Sequence, residues 1–248
     1  MKYKIVIIFA LSIFVTANRV LGQKLELLHN KLELIFENIS MIGILGDDYS
    51  RIDMRFIKAN KVNDTIYNII GASRTNLNII CQFEGQIFID SIIPFSLHKS
   101  EVTEIDGFIC GKYKFEESEN QRCSGVFSGI FKQAYRICQH KIYEPINLIP
   151  ELKINLSEYI GIWQSDKGTL KTCNWADAII PNVKNDFFVF NDSGEWFISS
   201  KYRKKGWINH YDAYFNSNIS DDKIKSAQSI EEKEWWNNQN NDKHHTIP

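Results

Sequence analysis

Four tryptophans in the second half of the chain, Trp163, Trp175, Trp196 and Trp207, stand with Tyr202 and Tyr211 among charged residues: Asp166, Asp177, Glu195, Arg203 and Lys205. Flat aromatic rings beside carboxylates and amides are the materials of a sugar or peptide groove. Tryptophan and arginine are also over-represented in binding hot spots. The candidate ligand-binding set is therefore Trp175, Trp196, Trp207, Tyr202 and Arg203. The opposing reading makes the same indoles core, since small β modules often bury one or two with the N–H on a backbone carbonyl.

Catalytic options are thin. Asp177 and Glu195 supply the two carboxylates that glycoside hydrolysis needs, their separation deciding its stereochemical course. His210 with Cys173, or with Asp212, offers part of a nucleophile–base pair. None of these has a local signature: the chain holds no G-x-S-x-G, no H-E-x-x-H and no phosphate-cradling glycine loop. His244 and His245 adjoin in a polar tail and make weak ligands, so neither a metal nor a cofactor is expected. Lys201–Lys205 (KYRKK) is a short basic run that suits an anionic polymer or lipid headgroups, or merely a solvated helix face.

Strands must hold these side chains, and a period of two dominates from Ser50 onward. Ile52, Met54 and Phe56 alternate with Arg51, Asp53 and Arg55, which describes a strand with one wet face. Thr65–Ile70 returns after a turn at Asn60–Asp64. Cys81, Phe83, Ile87 and Ile89 then alternate with polar residues, with a bulge or sharp bend expected at Gly85. Ile109, Gly111, Tyr113 and Phe115 form one further inward row, and Gly125, Phe127, Gly129 and Phe131 another, joined by a polar turn over Glu116–Gln121. The fold class is mainly β: an antiparallel meander, barrel or sandwich, followed by a smaller Trp-rich β module and a C-terminal helix.

Leu25, Leu28, Leu32, Ile35 and Ile39 recur at three- and four-residue steps, predicting a helix over Lys24–Asn38. A hairpin turning at His29-Asn30 is the rival. Pro145 and Pro150 mark a boundary, and all six tryptophans lie beyond it. The chain thus divides into a signal (1–22), a β domain with an N-terminal helix (23–143), a Trp-rich module (152–236) and a polar tail (237–248). Strands are expected near Tyr159–Gln164, Thr169–Trp175 and Phe187–Phe190. A helical turn at Ser200–Lys205 ends at Gly206, and a surface helix over Asp221–Trp236 takes Ser220 as N-cap.

The amino terminus sets the compartment. Lys2 and Lys4 precede an apolar run from Ile5 to Ala17, with small-residue exits after Ala17 and after Gly22. That is an export signal, too short for a membrane span. The net charge of −1 becomes more acidic when Lys2, Lys4 and Arg19 leave with the signal, the reverse of a nucleic-acid binder's footprint. No later stretch is apolar enough to span a bilayer. Of the five cysteines, Cys110, Cys123 and Cys138 are the expected disulfide participants, and Cys81 and Cys173 have the surroundings of buried free thiols.

The pieces GKYKFEE (Gly111–Glu117), SGVFSG (Ser124–Gly129), GIW (Gly161–Trp163), KTCNWAD (Lys171–Asp177), GEW (Gly194–Trp196) and KYRKKGW (Lys201–Trp207) resemble an uncharacterised group of exported bacterial proteins. The resemblance spans roughly Tyr67–Trp236 in pieces. It implies export and a β-rich fold, and it carries no activity. The expectation is an exported protein (periplasmic, cell-surface or secreted) that binds a glycan, an envelope component or another protein without catalysis. The alternatives are a carboxylate-dependent hydrolase of extracellular polysaccharide or cell wall, and a structural or partner-binding protein with no ligand site.

Overall fold

The structure, a computed structural model, describes residues 32–76, 78–94, 105–118, 124–138, 141–143, 155–190 and 196–237. The export signal, residues 24–31 of the expected first helix, Glu195, Cys123 and the polar tail from 238 onward lie outside the described residues.

Period-two alternation builds long strands, and the strands close on themselves. β1 (Ile39–Leu45), β2 (Ser50–Lys61), β3 (Ile66–Thr75), β4 (Ile80–Pro94), β5 (Gly107–Glu117) and β6 (Gly125–Cys138) each pair antiparallel with the next. After β7 (Lys141–Tyr143), a short partner of β6 alone, come β8 (Ser157–Ser165) and β9 (Leu170–Ala176). β8 pairs with β6, and β9 pairs with both β8 and β1. Gly43 lies opposite Trp175 at the closing seam. The result is an eight-stranded antiparallel up-and-down barrel in which closure removes the exposed edges.

Alternate residues of every strand point inward. Phe83, Ile87, Tyr113, Phe115 and Phe127, the inward set expected from the sequence, are each at most 2% exposed. Eight strands leave an interior that side chains can fill or that one small ligand can share. Here the middle is filled by rings: Phe83 stacks on Phe115 at 5.1 Å between centroids, and Tyr159 on Trp175 at 5.4 Å. One end is plugged by α1 (Glu33–Phe36), where Leu32, Ile35 and Phe36 are fully buried. Phe36 meets Phe131 edge-on at 5.8 Å.

Outside the barrel, β10 (Phe188–Phe190) and β11 (Trp196–Ile198) form a two-stranded sheet. A helical turn (Ser200–Tyr202) runs through a wide turn into α2 (Ile208–Tyr214), and α3 (Asp221–Glu231) follows. Gly206 takes φ +96°, the left-handed conformation expected of it. A Cβ there would also lie 2.5 Å from the Asn76 Cβ, so glycine lets this segment touch the β3–β4 turn. Tyr49, Phe187, Ile198, Tyr202 and Trp207 form a second core with Ile44 and Ile180 against the β1–β2 corner.

Four expectations need correction. The division at 144–151 does not separate two sheets, because β8 and β9 complete the same barrel as β1–β6. Ile39, the last residue of the expected helical stripe, begins β1, a strand absent from the sequence reading. Gly85 stays in register opposite Ile69 and Phe115, and the bulges fall at Phe56/Lys58 and Ile89/Ser91 instead. A Cβ at Gly85 would lie 2.0 Å from the Lys114 carbonyl oxygen, so close backbone approach explains the glycine. Finally, Cys110 is a free thiol facing Lys132 across the β5–β6 ladder. Cys81 and Cys173 are buried thiols outside any disulfide, as their surroundings imply.

Candidate ligand-binding site

The barrel end opposite α1 carries the connections 46–49 and 166–169, with the last residues of β3 and β5 and the first of β4 and β6. A cavity of about 310 Å³ opens there. All eight barrel strands contribute to it: Leu45 from β1, Ser50 and Ile52 from β2, Thr75 from β3, Cys81 from β4, Glu117 from β5, Phe127 from β6, Trp163 from β8 and Lys171 from β9. Lys205, from the segment docked outside, completes the rim. The mouths of β-barrels are a usual place for small-molecule sites, and such pockets start at roughly 300 Å³.

Glu117 is the chemical centre. It follows Phe115 by two residues, so strand pleating aims it inward as the last member of the row Ile109–Gly111–Tyr113–Phe115. It is 8% exposed. Ser73 Oγ donates to Oε1 at 2.6 Å, and Trp163 Nε1 donates to Oε2 at 2.9 Å. Gly125 makes room for that indole, since a Cβ there would lie 2.6 Å from the ring. Burial pushes the Glu117 carboxyl above the usual glutamate range. Hydrogen bonds from Ser73, Trp163 and the Gly125 N–H pull partly back, and the charge of Asp166 adds to the rise. A buried carboxyl displaced in this way inside a cleft is a recurring mark of a functional site. The Cys173 thiol, wholly buried in the interior, behaves as an inert apolar group. Cys173 is pushed far up by burial, and further by Glu117.

The rim is polar and internally paired. Lys205 Nζ meets Asp48 at 2.8 Å, and Lys171 Nζ lies 5.6 Å from the Trp163 ring centroid. Ser124 donates to Asp166 at 2.5 Å.

The site residues expected from the sequence do not gather here, or anywhere together. Trp175 is fully buried in the barrel interior, and Trp207 is fully buried in the outer aromatic core with its N–H on the Tyr49 carbonyl at 2.9 Å. Neither offers a face to a ligand, because both lie where inward pleating and apolar packing put large rings. Tyr202 is buried in the same outer core as Trp207 and donates its hydroxyl to Asp186 at 2.9 Å. Trp196 is half-buried beside Phe188 in the small sheet. Arg203 stacks 3.4 Å from the Tyr211 centroid and donates to the Ile198 carbonyl. Within the basic run, Lys201 pairs with Asp186 at 2.6 Å and Lys205 with Asp48 at 2.8 Å.

Asp177 and His210 do share a groove of about 380 Å³ between the barrel wall and α3. The Asp177 carboxylate accepts the backbone N–H groups of Leu156 and Ser157, so it serves the chain path into β8. His210 Nδ1 sits 3.8 Å from Glu231. That groove is dominated by ion pairs: Arg51 holds Glu231 with two bonds of 2.8 and 2.6 Å and Asp53 at 2.7 Å, and Arg74 holds the other Asp53 oxygen. Among the described residues no cluster of His, Cys, Asp and Glu is placed to hold a metal, and no helix is long and apolar enough to cross a membrane.

Glu117 and Trp163, with Ser73, are the residues that sequence reading missed as a set. Glu117 was legible as the next inward position after Phe115 but fell inside the expected polar turn. No family model, curated protein or solved structure matches this chain.

Proposed function

We propose that this is an exported, non-enzymatic barrel protein that binds one small molecule in its open mouth. The observation that carries the reading is the cavity fed by all eight strands with a buried carboxyl, Glu117, among its walls. One barrel end is plugged by α1 and the middle is packed with rings, so the remaining space is confined and preformed. A preformed pocket avoids the ordering cost that weakens binding by flexible surfaces. Export is argued from the amino-terminal signal pattern alone. A hydrolase reading loses support because the Asp177 carboxylate is engaged by backbone N–H groups.

The test is a thermal-shift screen with small amphiphiles of the cavity's size, run in parallel on Ile79→Trp, a change at a cavity-lining residue just before β4 whose indole should fill the mouth. Ligands of this site should raise the melting temperature of the wild type and leave the variant unmoved. Compounds that stabilise both equally would place binding elsewhere and overturn the reading.

A further inference from the structure

We infer that the barrel mouth is built for an amine: a small molecule with an apolar body and one protonated amino group that meets Glu117. This rests on the mouth being a ligand site. Among the described residues, the hydrogen bonds to the Glu117 side chain come from neutral donors, namely the Ser73 hydroxyl, the Trp163 indole and the Gly125 N–H. Among the described residues no Lys, Arg or His lies within ion-pair distance of it. The two lysines of the cavity are directed elsewhere, Lys205 to the Asp48 carboxylate and Lys171 over the Trp163 ring. Asp166 lies near enough to add negative potential.

A carboxylate buried without a counter-charge is costly, and it either takes up a proton or finds a cation. A ligand ammonium supplies that charge together with three N–H donors for the oxygens' remaining lone pairs. A carboxylic acid in the same place would set two like groups against each other and force one to stay protonated. A neutral alcohol would gain one uncharged hydrogen bond. The apolar body would lie along Ile52, Phe127 and Trp163, where the rings also favour a nearby cation. The cavity equals about ten water molecules at ~30 Å³ each, which sets the size of the ligand.

Three probes of one shape separate the possibilities: phenethylamine, phenethyl alcohol and hydrocinnamate, titrated calorimetrically into the full chain at neutral pH. The amine should bind at least about tenfold tighter than the alcohol, the margin of a charge-assisted over a neutral hydrogen bond. In Glu117→Gln that ratio should fall to about one, with alcohol binding retained. A pH series on the wild type gives a second readout should the variant fold poorly. Amine affinity should drop as pH falls and Glu117 takes up its proton, while alcohol affinity stays level. Among the described residues, the other titratable groups facing Glu117 or lining the cavity are Asp166, Cys173, Cys81, Asp48, Lys171 and Lys205. Alcohol or hydrocinnamate binding as tightly as the amine would overturn the amine assignment and leave the pocket reading standing. Failure of all three probes to bind would overturn both.

Discussion

Glu117 shows how one residue's chemistry depends on its pleat position. One residue earlier in β5 the side chain faces water, as Glu116 does beside Lys114 at 2.6 Å. Glu117 instead faces Ser73 and Trp163, and burial raises its titration. Removing the indole donor while keeping an aromatic ring should raise it further, because the hydrogen bond favours the charged form. Trp163→Phe should therefore move the Glu117 midpoint upward in a carboxyl-carbon NMR titration. A downward move would mean the indole does not serve the carboxylate. Trp175 is the contrasting case. It was read as a groove ring, but its ring stacks on Tyr159 and meets Phe127 edge-on in the barrel centre. Trp175→Ala should cost ~3–5 kcal/mol in urea denaturation, as large-to-small changes in packed cores do.

At the scale of elements, the outer wall of β2 explains why the C-terminal helix stays docked. The alternation of Arg51, Asp53 and Arg55 was legible as an outward row, and outward it is. Its burial was not legible, because the covering partner lies 180 residues away, at Glu231. α3 and the following Trp235 and Trp236 cover this row, Trp235 over Arg74 at 5.0 Å and Trp236 over Arg55 at 4.4 Å. Burial pushes the Glu231 carboxyl up, but the nearby His210 ring, the two Arg51 hydrogen bonds and the guanidinium charge hold it at about 2. A carboxyl lowered from its ordinary value of 4.5 contributes stability that is fully present above that value and is lost as pH falls towards 2. Hydrogen exchange of α3 should accordingly rise over that acid window before the barrel amides follow. Arg51→Ala should cost ~3–5 kcal/mol, since it leaves Glu231 buried without its guanidinium and Asp53 with Arg74 as its remaining partner. A cost near zero would show the network to be ornamental. β1 illustrates a different limit: ISMIGIL has the composition of either a strand or a helix end, and only pairing with β2 and β9 decides it.

For the whole molecule, closure is the organising fact. The inward rows predicted the meander and its core, while the choice between barrel and sandwich depended on which distant strands meet. Composition pointed the wrong way at the proline-bounded stretch, because the tryptophans beyond it belong partly to the barrel (Trp163, Trp175) and partly to the outer cluster (Trp207). A fragment ending at residue 143 lacks β8 and β9 and leaves β1 and β6 without their closing partners. It should show no cooperative melt, whereas a sharp transition would support two independent modules. The central claim, that the barrel end opposite α1 is a ligand site centred on Glu117, has a direct probe in the indole N–H of Trp163, 2.9 Å from the carboxylate. In protein labelled at tryptophan nitrogen, titration with phenethylamine should shift the Trp163 indole resonance and leave those of Trp175 and Trp207 in place, and Ile79→Trp should abolish the shift. Calorimetrically detected binding that leaves the Trp163 resonance unmoved would contradict the account.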